Sequence, residues 1–413
     1  MLERCVAVEP SVFGRDFWGR GPLLSRAQEL PGPFTDLLSA DAVDELIAER
    51  GVRTPFLRMA RDGTVLDRAC FTRSGGFGAE MPDQIDSAGV LAEYAQGASI
   101  VLQGLHRLWP PLVHFARGIV DDIGYPTQVN AYITPPGSRG FDPHHDVHDV
   151  FVLQVDGHKH WRVHAPVFAH PLSFQPWTDH REAVAARARD EPVLDVELGP
   201  GDALYLPRGW IHSAVALGET SIHLTVGVEA FTGYDLARDA LAALARDEDL
   251  RRPLPFGLDL TDRSAVEPEV RKALAAVVEV LTRHADEAAG QTAGAVRDRF
   301  LQRTRPTPVR PLETLSALGG FDATSTVALR HALVVSLEEE RTGGDDHEGH
   351  MSRTTLRLPD KTIRFPSQCV AALREIATGR PVTAETLPGL TTDDAMVVLR
   401  RLLREGVVVP SRP

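Results

Sequence analysis

The clearest order in the chain is an exchange of polar and apolar positions between residues 127 and 228. In Asn130-Ala131-Tyr132-Ile133-Thr134 the polar side chains alternate with apolar ones, so Asn130, Tyr132 and Thr134 share one face of a strand. The apolar run Phe151 to Val155 meets Asp156-Gly157, a pair that marks a tight hairpin turn. Beyond it Lys159, Trp161 and Val163 point one way, while His158, His160, Arg162 and His164 point the other. Val193 to Leu198 and Leu204 to Leu206 read as strands, and Ser221 to Val228 as a closing one whose polar face carries Ser221, His223 and Thr225. Short strands divided by glycine and proline turns suit a double-stranded β-helix, a jelly roll.

Around this core the period changes. Residues 1–60 read as short helices feeding a β-domain, with Phe13, Phe17, Trp18 and Pro22-Leu23-Leu24 as a hydrophobic anchor laid on it. Residues 37–47 have helical spacing with a start at Ser39 or Asp41, and 56–59 read as a strand turned by Asp62-Gly63. Residues 97–102 read as a strand entering a helix from Pro111 to Val120. Further on, Tyr234 to Arg246, Glu267 to Ala288 and Gln291 to Arg303 carry apolar residues at three- and four-residue spacing, and a proline cluster at 306–311 ends the block. After 321 short strands and helices mix. Val327 to Glu338 is a strand or short helix and Thr342 to His350 a polar acidic loop, before strands at 355–358 and 361–365. Helices at 367–377 and 391–405 and a last strand at 407–409 follow.

Composition narrows the picture. At 413 residues the chain expects two or three domains, and 43% hydrophobic content with mixed charge describes a soluble globular protein. The formal net charge of −13 argues against a general nucleic-acid or acidic-membrane surface. Cys5, Cys70 and Cys369 are far apart and lack metal-ligand spacing, which fits a reducing cytoplasm. The first residues have no apolar signal region and no run reaches membrane-spanning length, so a cytoplasmic protein without membrane contact is expected.

The chemistry gathers in the β-region. Read as a strand, His144-His145-Asp146 places His144 and Asp146 on one face, and His212 follows at the end of another strand-like run. His-x-Asp with a distant histidine is how a β-scaffold builds a two-histidine, one-carboxylate triad, which leaves half of an octahedral ion open and suits non-haem Fe(II) and O2. A bare His-x-Asp is weak evidence, and the same histidines also read as hydrogen-bonded core residues. Lys159 shares its inward face with Trp161 and Val163. A lysine inside a barrel is costly unless an anion meets it, so an iron site beside it implies a small dicarboxylate. His148 lies on the His144/Asp146 face as a substrate contact or alternative third ligand. His145, His158, His160, His164, His170 and His180 read as a solvated histidine face rather than a second metal site.

Four segments in order carry a resemblance: N-x-Y-I-T-P-x-G-S at 130–138, P-H-x-D at 143–146, V-F-V-L-Q-V-x-G-x-K-x-W-R at 150–162 and G-D-x-L-Y-x-P-R-G-x-x-H at 201–212. The chain resembles the Jumonji C (JmjC) branch of the cupin superfamily and, more narrowly, the ribosomal oxygenases, which are Fe(II)- and 2-oxoglutarate-dependent protein hydroxylases. That resemblance implies an α+β architecture. A JmjC catalytic domain with its N-terminal support spans 1–232, a helical dimerisation region 233–320, and a winged-helix-like domain 321–413. It makes His144, Asp146 and His212 the iron ligands and Lys159 the anchor of 2-oxoglutarate. Asn130 and Tyr132 line the co-substrate pocket, and Tyr132 or Thr225 assists at the distal carboxylate.

Fe(II), 2-oxoglutarate and O2 are the implied cofactors, a homodimer the implied assembly, and an arginine or histidine side chain of a protein, possibly ribosomal, the implied substrate class. Direct nucleic-acid binding is not expected: Arg400, Arg401 and Arg404 read as a solvated helix face. Two departures concern the pocket mouth, His145 in place of an aromatic residue and Gly227 in place of a serine. The alternatives are a tailoring hydroxylase of a small peptide or metabolite, and a catalytically silent cupin that binds through its winged helix.

Overall fold

Eight strands of one sheet and three of another build the N-terminal part of the chain. The computed structural model describes residues 1–78, 80–139, 141–340 and 353–411, and these divide into two compact units, Met1–Phe231 and Thr232–Pro413. Besides a short hairpin of Thr72–Arg73 with Gln84–Ile85, the strands of the first unit are β1 (Leu23–Ser25), β2 (Leu57–Arg61), β3 (Thr64–Val65), β4 (Ser99–Leu102), β5 (Thr127–Thr134), β6 (Asp149–Asp156), β7 (Lys159–His164), β8 (Leu194–Leu198), β9 (Ala203–Leu206), β10 (Ile211–Ala216) and β11 (Ser221–Val228). The large sheet runs β1-β9-β6-β11-β5-β4-β2-β3 and the small one β8-β7-β10, with antiparallel pairing throughout. The sheets face each other, Trp161 of β7 meeting His223 of β11 edge-on at 5.5 Å between ring centroids.

Alternation divides the large sheet's side chains between two cores. Phe151, Leu153 and Val155 of β6, with Ala131, Ile133, Leu224 and Val226, pack outward against helix α2 (Pro110–Ile123) and the N-terminal segment. Val150 and Val152 point the other way, toward Trp161, Val163, Leu198, Leu204 and Leu206 between the sheets. Burial on both faces explains why β6 reads as one apolar run rather than an alternating one. Each large apolar side chain fully buried there contributes roughly 1.5–3 kcal/mol. Helix α1 (Ala40–Ala48) begins where expected, Ser39 Oγ accepting the Ala42 N–H at 3.1 Å. The N-terminal anchor also forms as expected: Leu23–Ser25 pairs with β9, and Phe13 and Trp18 pack on Tyr205.

The Asp156-Gly157 turn joins the two sheets. Gln154, fully buried, donates from Nε2 to the carbonyls of Asp156 and Gly157 at 2.8 and 3.0 Å and to Ser221 Oγ at 2.9 Å. Gly157 has φ +61°, and a Cβ there would lie 2.1 Å from the Thr220 carbonyl oxygen. Gly157→Ala should therefore destabilise the unit by about 2–4 kcal/mol, combining a left-handed non-glycine residue with a backbone clash. Urea unfolding checks this, and a loss below about 1 kcal/mol contradicts the assigned geometry.

In the second unit helices α3 (Gly233–Leu241), α4 (Arg263–Arg283), α5 (Ala285–Arg303) and α6 (Pro311–Gly319) precede strands β12 (Val327–Leu329), β13 (Ser336–Glu340), β14 (Arg353–Arg357) and β15 (Thr362–Pro366). Helices α7 (Val370–Ala377) and α8 (Thr392–Arg404) and strand β16 (Val408–Pro410) complete it. Its core joins Phe321, Leu356, Ile363 and Phe365 to Leu373, Ile376, Leu399 and Leu402. The break between the two long helices falls at His284, not between Ala288 and Gln291 as the sequence suggests. His284 leaves helical geometry (φ −114°, ψ 28°), whereas Gly290 is carried inside the helix. The span Val327 to Glu338 is two strands rather than one element, and the acidic loop Thr342 to His350 lies outside the described residues. No described helix is long and apolar enough to cross a membrane.

Candidate active site

His144 and His212, far apart in sequence, meet through a two-residue antiparallel bridge. The His144 N–H donates to the His212 carbonyl at 3.2 Å, and the His212 N–H to the His144 carbonyl at 2.8 Å. Their rings lie 4.5 Å apart between centroids. The Gly209 N–H donates to the Asp146 carbonyl at 3.0 Å, fixing the third residue against the turn that leads to His212. One potential ligand atom from each of His144, Asp146 and His212 lies within 4.8 Å of the others, the sole such group of three among the described residues. Asp146 Oδ2 is 3.8 Å from His212 Nε2.

The other ring nitrogens decide what these imidazoles offer. His144 Nδ1 lies 2.7 Å from the Asp142 carbonyl and His212 Nδ1 3.1 Å from the Trp210 carbonyl. A carbonyl oxygen can only accept, so each Nδ1 carries a hydrogen and Nε2 is the nitrogen each ring turns to the cleft as a potential ligand. Burial, with the neighbouring His144, holds the His212 pKa down to about 4, which keeps it neutral at physiological pH. Burial pushes the Asp146 carboxyl up, but the imidazoles of His148, His212 and His144 outweigh it and hold it below the usual carboxylate range. Two imidazoles and one carboxylate on a single face fit a divalent transition metal with open positions.

Deeper between the sheets, Lys159 is 4% exposed. Its Nζ donates to Thr134 Oγ1 at 3.1 Å, and the same oxygen lies 3.3 Å from Ser99 Oγ. Burial alone lowers the Lys159 pKa to about 7. His223 stacks on Tyr132 at 5.0 Å and 4°. Its Nδ1 and the Trp161 Nε1 are both buried without a hydrogen-bond partner. An ammonium and two such ring nitrogens bordering one cleft are what a polar, anionic occupant would satisfy. The cleft is lined by Tyr132, Thr134, Lys159, His223 and Thr225 at this end and by the triad with Phe141 at the other.

Tyr132, Lys159 and Thr225 line the cleft. Asn130 does not: its Oδ1 accepts the Gly104 N–H at 3.0 Å, so the carboxamide holds a turn instead of lining the pocket. His148 stands outside the three-residue group and fills the space above Gly227, where an added Cβ would come within 2.5 Å of its Cδ2. A serine at 227 is thus incompatible with His148 as placed.

The histidine tract is only partly solvated. His158 and His160 pair with Glu219 and Asp195, but His145 and His164 are 2% and 3% exposed. Alternation fails at His145 because 144–146 is a bridged irregular segment, and His164 is covered by the chain near Asp190, whose carbonyl lies 3.2 Å from its Nε2. Phe141 and Ser99 gave no sequence signal as parts of one site. Pairing of β4 with β5 brings Ser99 to Thr134, and Phe141 meets Tyr132 from a loop.

Residues 113–236, which carry the His-x-Asp pair and the distant histidine, match the JmjC domain family. Over a longer span the chain is similar to ribosomal oxygenases. It is 26% identical over 441 residues to Ribosomal oxygenase 1 of Gallus gallus, covering 98% of this chain and 70% of the relative. It is 30% identical over 255 residues to the bifunctional lysine-specific demethylase and histidyl-hydroxylase NO66 of Drosophila persimilis. That match covers 59% of this chain and only 34% of the relative, so the chain spans about a third of that protein's length. Among solved structures, YcfD, a ribosomal oxygenase from Escherichia coli in complex with cobalt and 2-oxoglutarate, superposes with a TM-score of 0.51 at 19% identity. It covers 98% of this chain and 99% of its own.

Proposed function

We propose that the protein is an Fe(II)- and 2-oxoglutarate-dependent oxygenase that hydroxylates an arginine or histidine side chain of a protein, with ribosomal proteins as the first candidates. The observation that carries this reading is the convergence of His144, Asp146 and His212 at one end of a cleft whose other end holds a buried lysine. The names of the relatives support the substrate class. Bound there, iron and 2-oxoglutarate supply oxidative decarboxylation of the co-substrate coupled to insertion of one O2 atom into a C–H bond.

The chain's own residues position and exclude. His144 and His212 present Nε2 because their Nδ1 hydrogens are tied to carbonyls, and Asp146 contributes the single negative charge. Lys159 would pair with the distal carboxylate of 2-oxoglutarate, Thr134 holds the direction of its ammonium, and Tyr132 and Thr225 line the same cleft. Asn130 supports the strand that carries Tyr132. The test is mass spectrometry of ribosomal proteins from cells with and without the protein. Gain of one oxygen on an arginine or histidine supports the reading, and unchanged ribosomal proteins remove that substrate class.

The three-part organisation belongs to the same proposal: catalytic unit 1–232, helical dimerisation region 233–320 and winged-helix domain 321–413, in a cytoplasmic homodimer. Along α4, Val270, Leu274 and Val278 are spaced one helical turn apart and are 49%, 59% and 66% exposed, an apolar stripe suited to a second copy. Leu274→Asp should shift the protein from dimer to monomer in light scattering, and an unchanged dimer would exclude this face. On α8, Arg400 donates to the Phe321 carbonyl, and Arg401 lies over the Phe365 ring and donates to the Arg364 carbonyl. Arginines spent within their own unit support a protein-contact role for this domain over nucleic-acid binding.

A further inference from the structure

Beside the triad lies a buried carboxylate that the proposed chemistry does not use. Asp149 is 1% exposed and begins β6, three residues beyond Asp146. Its Oδ1 accepts the Tyr205 hydroxyl at 2.9 Å and the Arg208 backbone N–H at 3.4 Å, and its Oδ2 lies 3.6 Å from Arg208 Nη1. Tyr205 is itself fully buried, and its oxygen accepts the Gly19 N–H at 2.9 Å. The Phe13 ring closes on Tyr205 edge-on at 4.8 Å.

The connectivity gives this knot its meaning. One ligand-bearing segment leaves Asp146 and enters Asp149, while the other passes Arg208 and Gly209 on its way to His212. The Asp149 carboxylate therefore fastens the two segments together at a second point, apart from the His144–His212 bridge. A buried ion pair is weak evidence for stability, because apolar side chains of similar volume often serve as well or better. Its cost is understandable where it fixes the separation of two loops.

We propose that Asp149, acting with Tyr205 and Arg208, is a positioning residue for the metal triad, and that the docked segment Phe13–Gly19 is part of that support. The inference rests on the oxygenase reading only in taking the triad as a metal site. Groups that orient metal ligands without touching the ion typically govern about 10–100-fold in metal affinity. Asp149→Asn keeps the shape and removes the charge. Tyr205→Phe removes only the hydroxyl that joins Asp149 to Gly19.

The test is titration of the full chain with Co(II), followed by visible absorption, with thermal unfolding of the metal-free protein run beside it. Asp149→Asn should weaken Co(II) binding by about 10-fold, the low end for groups that orient ligands, and alter the cobalt bands, and Tyr205→Phe should weaken it in the same direction by less. A merely structural role would lower the unfolding temperature and leave the bands of the folded fraction unchanged. Should Asp149→Asn not fold, Tyr205→Phe decides. Wild-type affinity and unchanged bands in the folded variants overturn the inference while leaving the metal site intact. Wild-type protein that takes up no Co(II) overturns the metal-site reading and this inference with it.

Discussion

Replacing His212 by alanine should lower divalent-metal affinity by more than about 100-fold and abolish 2-oxoglutarate turnover. Removing a group that merely orients a ligand already costs about 10–100-fold, and His212 supplies a ligand atom itself. The backbone bridge to His144 uses only main-chain groups, so alanine preserves the strand pairing and the loss is one of coordination. His148→Ala should leave metal affinity at the wild-type level, because His148 stands outside the three-residue group. Calorimetric Mn(II) titration checks both. Equal losses in the two variants would show that His148 is a ligand.

The same variant should flatten the acid side of the metal-free stability profile. Burial depresses the folded-state pKa of His212 to about 4, against about 6.5 when unfolded. Below pH 6.5 the unfolded chain binds a proton that the folded chain refuses, so stability falls as pH drops from 6.5 toward 4. The drop is on the order of 3 kcal/mol for this one group.

Lys159→Met should cost about 30- to several-thousand-fold in 2-oxoglutarate affinity, the usual range of 2–5 kcal/mol for truncating one partner of a buried, hydrogen-bonded charge pair. It should also make the free protein more stable. Burial brings the lysine pKa down to about 7, so at and below pH 7 the wild type carries the full cost of an enclosed ammonium. Between pH 7 and about 10.5 the unfolded chain holds a proton that the folded chain has released, and wild-type stability rises with pH. The gain from methionine is therefore largest at or below pH 7.

Binding of the dicarboxylate requires the charged lysine, so above pH 7 it must take up a proton. Wild-type affinity should fall toward tenfold per pH unit there, and Lys159→Met should be flat. Calorimetry in buffers of different ionisation enthalpy measures that proton. No uptake at pH 8, or a wild-type profile as flat as the variant's, contradicts the assignment.

Some parts of the molecule were legible in the chain and others were not. Strands announce themselves where one period persists: Lys159, Trp161 and Val163 point inward as their alternation requires, and Asp156-Gly157 makes the turn it signals. Alternation misleads where the chain is extended but not part of a ladder, as at His145, or where a later segment folds over an edge, as at His164. Asn130 has the right face but a nearer partner in Gly104. The break at His284 carries no glycine or proline, so helical spacing runs through it. The Asp149–Tyr205–Gly19 knot was out of reach for a different reason. Its three members lie on separate elements, and none is unusual in its own neighbourhood.

The most direct test of the central claim is anaerobic titration of 2-oxoglutarate into the Fe(II)-loaded protein, followed by visible absorption. The account predicts a metal-to-keto-acid charge-transfer band that saturates in the wild type, weakens in Lys159→Met and is absent in His212→Ala. No band in the wild type, together with no measurable affinity for 2-oxoglutarate, would contradict it.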